Sequence, residues 1–321
     1  MELRSLRTRR FLSALLAGIA YFVTGHLGLL YPAVGSTITT LWLPSGIAVG
    51  AILRLKRIAL APIFAASCAI NLGTGLPIIP TLSIGIGNTL GPFAAAFLLR
   101  RFRFSPSFSK PRDILLLSAS GVAGMMITAS GGVASLWIAD LMGSIDPKQA
   151  WLTWWAGDTL GVVLGAPFVL TFGRSEWRAL VKRGAEFAAW GLCTIAVCLS
   201  VFVLNGSETE RALALAYLPL PFVAWAALRF GTLGAALSVV STNVIAVYGT
   251  GEGWGPFYHS HPIPSAVMVW FFMATTTILA WLISAIQTSR ERASAARRLL
   301  ERALSESALG VILTDTARRI T

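Results

Sequence analysis

Apolar residues run through this chain in long blocks, and each block is closed by a short polar or basic cluster. The blocks lie at 11–31, 38–54, 58–74, 77–99, 114–138, 151–172, 185–204, 211–228, 232–249 and 265–286. Each approaches the ~20 residues that carry a helix across a bilayer core. Helices apolar on every side belong inside a large core or a membrane, so the pattern predicts an all-α fold, a polytopic transmembrane helix bundle of about ten spans. The blocks at 38–54, 58–74 and 232–249 are short. Two or three blocks can therefore be tilted, re-entrant or merged across Gly and Pro, and the expected range is about eight to ten spans.

After Trp281 the pattern changes. From Gln287 onward the chain is charged and helix-prone, with Ile286, Ala293 and Leu300 at seven-residue spacing and Ala296 and Leu304 nearby. That spacing fits a short signalling helix that pairs with a second copy, and it also fits an ordinary solvated helix. Ser307–Thr321 alternates apolar and polar positions before a turn, which reads as the first strand of a soluble domain that continues past Thr321. The predicted organisation is a membrane body at 1–287, a linker helix at 288–303 and the opening of a further domain at 304–321.

With 55% hydrophobic and 12% charged residues and a mean hydropathy of +0.71, the composition excludes a soluble globular chain. The net charge of +12 raises the question of nucleic acid, which the distribution of the charge answers. If the N-terminus is cytoplasmic, 24 of the 26 Lys and Arg fall on the cytoplasmic side: before Phe11, at Arg54–Arg57, Arg100–Arg112 and Arg174–Arg183, at Arg229, and from Arg290 onward. Only Lys148 and Arg211 fall outside. The positive-inside bias thus places both termini in the cytoplasm, and the basicity reflects topology, with no nucleic-acid partner. The basic start Arg4–Arg10 has the form of a signal peptide, but the apolar run behind it is too long and lacks a small-residue cleavage site. Cys68, Cys193 and Cys198 sit inside spans without metal-type spacing and read as small core residues.

Inside the spans one sequence echo stands out. Gly87-Asn-Thr-Leu-Gly91 and Gly157-Asp-Thr-Leu-Gly161 differ only at the Asn/Asp position, and in the topology above both run in the same direction, as a parallel repeat. Small residues four apart allow close helix packing, which is one reading of Gly87, Gly91, Gly157 and Gly161. The other is that Asn88 and Asp158 line one outward-facing polar pocket. Asp158 is then the acid buried well within a span, a candidate for ligand or proton sensing. His26 and Asn243 are polar groups at membrane depth and are counted with this pocket. The outer loop Gly249–Pro264 adds Glu252, His259 and His261, which resemble a weak metal-ligand set, but the His-x-His pair lacks a third ligand at a defined spacing and no metal is expected. Its aromatics Trp254, Phe257 and Tyr258, with Trp151, Trp154 and Trp155, suit an interfacial belt or a lid. No nucleophile elbow, zinc-protease motif, phosphate loop or cofactor fingerprint occurs, and Asp158 has no second acid to pair with. No catalytic role is expected for this chain.

Four segments in order carry a family resemblance: Leu41-Trp-Leu-Pro-Ser-Gly-Ile-Ala48, which contains Pro44 and Gly46, then Gly157-Asp-Thr-Leu-Gly161, Ala227-Leu-Arg-Phe-Gly231 and Gly253-Trp-Gly-Pro-Phe257. Over about residues 10–287 the chain resembles the first family of the MASE group, membrane-associated sensor domains of bacterial signalling proteins. Leu43 stands where that family commonly has a first proline, at the expected kink of the span. The tail from Leu304, with Leu313-Thr-Asp315, resembles the start of a PAS domain. The resemblance implies a multi-pass sensor of the bacterial inner (plasma) membrane, ahead of a histidine kinase, diguanylate cyclase or cyclic-di-GMP phosphodiesterase. Its implied partners are the lipid bilayer, a small-molecule or protein stimulus, and a second copy paired through the linker. The alternative from the residues alone is a small proton-coupled transporter, given the matched Gly-rich segments and one intramembrane acid.

Overall fold

A computed structural model describes residues 2–30, 32–34, 38–108, 110–171, 174–204, 210–260 and 262–305. The predicted PAS-like opening falls almost wholly outside these residues, as does His261. The chain forms α1 (Glu2–Gly28), an antiparallel pair of short strands β1 (Pro32–Val34) and β2 (Ile38–Thr39), α2 (Leu43–Leu55) and a 3-10 turn (Lys56–Ala59). There follow α3 (Leu60–Gly73), α4 (Ile78–Arg101), α5 (Pro111–Ile138), α6 (Pro147–Thr171) and α7 (Arg174–Val181). Next come α8 (Gly184–Leu199), which passes into a π turn (Ser200–Leu204), α9 (Glu210–Leu215), α10 (Leu220–Arg229), α11 (Gly231–Gly251) and α12 (Pro262–Ser305).

The fold is the all-α polytopic bundle that the apolar blocks predict. Among the described residues, six helical stretches are long and apolar enough to cross a membrane: Thr8–Gly28, Ile78–Arg101, Pro111–Ile138, Gly184–Leu204, Gly231–Gly251 and Ile263–Ala303. The remaining blocks take other forms. Blocks 38–54 and 58–74 contain the 13-residue α2 and the 14-residue α3, and 211–228 is divided between α9 and α10. Pro44 occupies the first turn of α2, where its fixed φ and missing N–H suit helix initiation. It therefore starts a short helix; the expected kink in a longer span is corrected.

Two sub-bundles meet at α6. In the first, α2 lies against α6, α1 and α4, while α5 lies against α4 and α6; in the second, α10, α11 and α12 pack together with α8. α6 and α5 touch α12, and α6 touches α11. The approach of α2 to α6 is set by backbone contact. A Cβ on Gly46 would strike the Gly161 carbonyl, one on Gly161 the Trp42 carbonyl, and one on Gly157 would come within 2.6 Å of the Thr39 carbonyl oxygen. In α4, a Cβ on Gly91 would reach 2.9 Å from the Gly124 carbonyl of α5, whereas at Gly87 the nearest atom is 3.7 Å away. Three of the four echo glycines are thus packing positions and Gly87 is not constrained.

The arginines that follow apolar blocks cap neighbouring helices. Arg54 donates to the Leu170 carbonyl at the end of α6 at 2.7 Å, Arg100 to Ile52 at the end of α2, Arg112 to Phe102 just past α4 at 3.0 Å, and Arg183 to Arg229 at the end of α10 at 2.8 Å. Arg54, Arg112 and Arg183 thereby reach carbonyls at helix ends, at the negative end of the helix dipole, and Arg100 adds a second donor to the Ile52 carbonyl, which already accepts the Lys56 amide. These bonds gather the C-terminal ends of α2, α4 and α6 at one end of the bundle, so α4 and α6, which carry the echo, run parallel. Phe108, in the loop after α4, stacks on Trp281 of α12 at 5.3 Å, which brings α12 to the same end. α12 has 44 residues, roughly 66 Å of helix at 1.5 Å per residue. Its membrane part is core, with Met273, Ala280, Trp281 and Ala285 fully buried, while every residue from Arg290 to Ala303 is exposed.

Candidate functional site

The deepest polar group in the bundle is Asp158. Gly157 and Gly161 let α6 touch the segment Thr39–Trp42 and the start of α2, and that contact buries Asp158 completely between α2 and α5. Ser45, in the first turn of α2, donates its hydroxyl to Asp158 Oδ1 at 2.8 Å, and Thr128 of α5 donates to Oδ2 at 2.5 Å. No described cation lies within ion-pair distance of it. One side chain thereby ties three helices through hydroxyl donors.

Asn88 repeats this pattern one helix away. Its Nδ2 donates to Ser67 Oγ of α3 at 3.0 Å, as Ser45 meets Asp158 on α2. Three further polar atoms are buried here without a hydrogen bond to a described residue: Asn88 Oδ1, the Trp42 indole N–H and the hydroxyl of fully buried Tyr21. The Tyr21 hydroxyl faces Ser67, Trp42 and Asn88 and lies within electrostatic range of Asp158, but its geometry to none of the three is that of a hydrogen bond. Beside them is a cavity of about 20 Å³ lined by Thr39, Trp42, Asn71, Thr74, Asn88 and Trp154, enough room for a water-sized group. Asn88 is in its wall, whereas Asp158 sits one layer deeper. The two echo residues therefore share a polar region without sharing a cavity surface.

The other candidates are placed elsewhere. His26 lies exposed on α1, stacked on Phe22 at 6.1 Å. Asn243 is fully buried in the second sub-bundle, where Thr276 of α12 donates to its Oδ1 at 3.1 Å. Glu252 and His259 are exposed in the loop after α11, where the His259 amide donates to Ser265 Oγ at 2.8 Å. Within the same loop Phe257 is buried between Phe202 and Phe272 at 5.6 and 5.1 Å, while Trp254 and Tyr258 remain exposed. Among the described residues no group of three or more His, Cys, Asp or Glu is positioned to hold a metal. Of the belt tryptophans, Trp151 stacks on Trp155 at 5.7 Å and Trp154 lies over Gly132 and walls the cavity.

Tyr21, Ser45, Ser67 and Thr128 have no sequence signal of their own. Each is one of several hydroxyls in an apolar block, ordinary in membrane helices, and only the crossing of α1 to α6 brings them together. The signal that was available is the Gly-Asn/Asp-Thr-Leu-Gly echo, which marked the two residues at the centre.

A buried polar centre inside a lipid-facing bundle, with one helix leaving the core to become fully exposed, defines a multi-pass membrane protein with a polar core. A family model described as MASE1 matches residues 12–291, and the chain belongs to that family of membrane sensor domains of signalling proteins. No match was found among curated proteins or among solved structures.

Proposed function

We propose that this chain is the input half of a bacterial inner-membrane signalling protein. It responds through Asp158 and passes the response along α12 to a cytoplasmic histidine kinase, diguanylate cyclase or cyclic-di-GMP phosphodiesterase. The observation that carries this reading is the continuity of α12, whose buried membrane half and exposed charged half form one helix. A helix transmits rotation and translation along its axis, and two packings of a bundle provide the discrete states that such a signal requires. Asp158 suits the responsive role because its two hydroxyl ties hold α2 and α5 to α6, and α5 and α6 in turn contact α12. Asn88 and its cavity offer a route by which a small polar stimulus or a proton reaches this region. With the N-terminus in the cytoplasm the arginine-capped end is cytoplasmic, and the exposed half of α12 pairs with a second copy.

The test places residues 1–303 ahead of a cyclase reporter and measures output in cells at stepped external pH. Asp158→Asn keeps the side-chain volume but replaces an acceptor with a donor, and is expected to fix output in one state. Inserting one to three residues between Arg290 and Ala303 rotates the reporter by ~100° per residue and should change output with helical phase. Output indifferent to both changes would refute the proposal.

A further inference from the structure

A second cavity, unlike the polar one, opens sideways between the sub-bundles. It measures about 320 Å³, within the size range of pockets that enclose small ligands. Its walls include Leu27 of α1, Leu41 and Leu43 of the segment before and within α2, Leu199 of α8, and Val244 and Ile245 of α11. α1 packs on α2 and α3 but not extensively on α8 or α11, and the cleft lies where those helices fail to close.

Its chemistry is that of hydrocarbon. Thr24 and Thr39, which also line it, direct their hydroxyl protons to the Ala20 and Leu41 carbonyls at 2.7 and 3.1 Å. The Thr40 carbonyl accepts from Trp270 Nε1 at 2.9 Å. The rim residues Leu27 and Val244 are 57% and 42% exposed on helices that span the membrane, whereas Leu41 on the inner wall is 6% exposed. The cleft is therefore continuous with the lipid-facing surface and reaches inward to the core. An unfilled apolar space of this size would forfeit dispersion contacts along every wall, and the matter adjoining its mouth is the bilayer itself. Leu199 also precedes the π turn Ser200–Leu204, a helix form concentrated at functional positions.

We propose that this cleft seats one acyl chain of a membrane phospholipid. The floor of the site is the segment Thr39–Trp42, which is bonded both to α6, through the Trp42 amide and the Gly157 carbonyl at 3.1 Å, and to α12, through Thr40 and Trp270. A seated chain thus presses on the segment that joins the Asp158 region to the output helix. The site stands independently of the sensory reading, and its effect on α12 rests on that reading.

The test uses the full chain in nanodiscs containing a phospholipid with a photoreactive diazirine on its acyl chain, followed by peptide mapping. Leu192, 72% exposed to lipid, reports ordinary annular contact, whereas bulk lipid does not reach Leu41. Labelling of Leu41 and Leu43 at a level comparable to Leu192 is expected. Val244→Trp, a rim change that leaves the core intact, should reduce the Leu41 label at least about five-fold and leave the Leu192 label unchanged. Absence of label at Leu41 and Leu43, or label that persists in Val244→Trp, overturns the proposal. In the same samples, spin-label distances between positions 103 and 298 should differ between parent and variant. Equal distances alongside a lost Leu41 label would overturn the link to α12 while leaving the lipid site.

Discussion

Gly161 offers a direct test of how the bundle is held. A methyl group placed there meets the carbonyl oxygen of Trp42, a backbone atom in the turn that starts α2, and retreat of α2 is opposed by α1 and α4 packed on its other sides. Overpacking a well-filled interior costs about 1–3 kcal/mol. A clash with backbone belongs at the upper end, about 3 kcal/mol, and the better helix propensity of alanine offsets about 1 kcal/mol of it. Gly161→Ala should thus destabilise by about 2 kcal/mol. Gly87→Ala is the matched control, because its added methyl finds the nearest atom at 3.7 Å and keeps the propensity gain of about 1 kcal/mol. The spread of about 3 kcal/mol is more than a hundredfold in the unfolding equilibrium. Reversible unfolding in mixed micelles, followed by circular dichroism across a denaturing-detergent titration, measures it. Equal midpoints for Gly161→Ala and Gly87→Ala would refute the claim that α2 and α6 are held at backbone contact.

Phe257→Ala should lower stability by about 3–5 kcal/mol, since Phe257 fills the space between Phe202 and Phe272, while Trp254→Ala, at an exposed loop position, should stay within about 0.5 kcal/mol; the same detergent titration compares them. Arg54→Ala removes the bond to the Leu170 carbonyl and should cost about 1–2 kcal/mol, with Lys restoring only part of it in a thermal-shift series. Asp158→Leu strands the Ser45 hydroxyl and removes one of the two oxygen acceptors of the Thr128 hydroxyl, and should destabilise more than Asp158→Asn, by about 1–3 kcal/mol on the same scale. In a cysteine-free background, a cysteine at position 103 should resist a membrane-impermeant maleimide added outside intact cells, whereas one at position 143 should react; the reverse pattern would invert the topology.

Much of the bundle was legible because bilayer physics is written one residue at a time. Block length, the arginines at alternate block ends and the change at Gln287 are local features, and they correspond to the helices, the capped end and the exposed half of α12. The two central residues were marked by a five-residue repeat with a single Asn/Asp change, three of whose four glycines turn out to be close-packing positions. What was not legible is how short helices fit between long ones. The blocks at 38–54 and 58–74 have the apolarity of spans, yet α2 and α3 are only 13 and 14 residues: α2 starts late because β2 and the following turn lie buried against Gly157 and Gly161, and the 3-10 turn Lys56–Ala59 separates it from α3. Non-helical backbone survives at that depth only where its polar groups find partners inside the protein. Gly157 and Trp270 supply two of them.

The sequence by itself determined the solvent of this protein, its helical class, the clustering of its basic groups at helix ends and the identity of its central acid. Those follow from composition and from spacings of a few residues. The tertiary structure alone decided which hydroxyls meet Asp158, which wall of the polar cavity Asn88 occupies, and where the two sub-bundles leave a lipid-facing cleft. Such relations join residues that are 30 to 113 positions apart. In a lipid setting helix association depends on shape and polar pairing, with little hydrophobic drive to reveal it in the pattern.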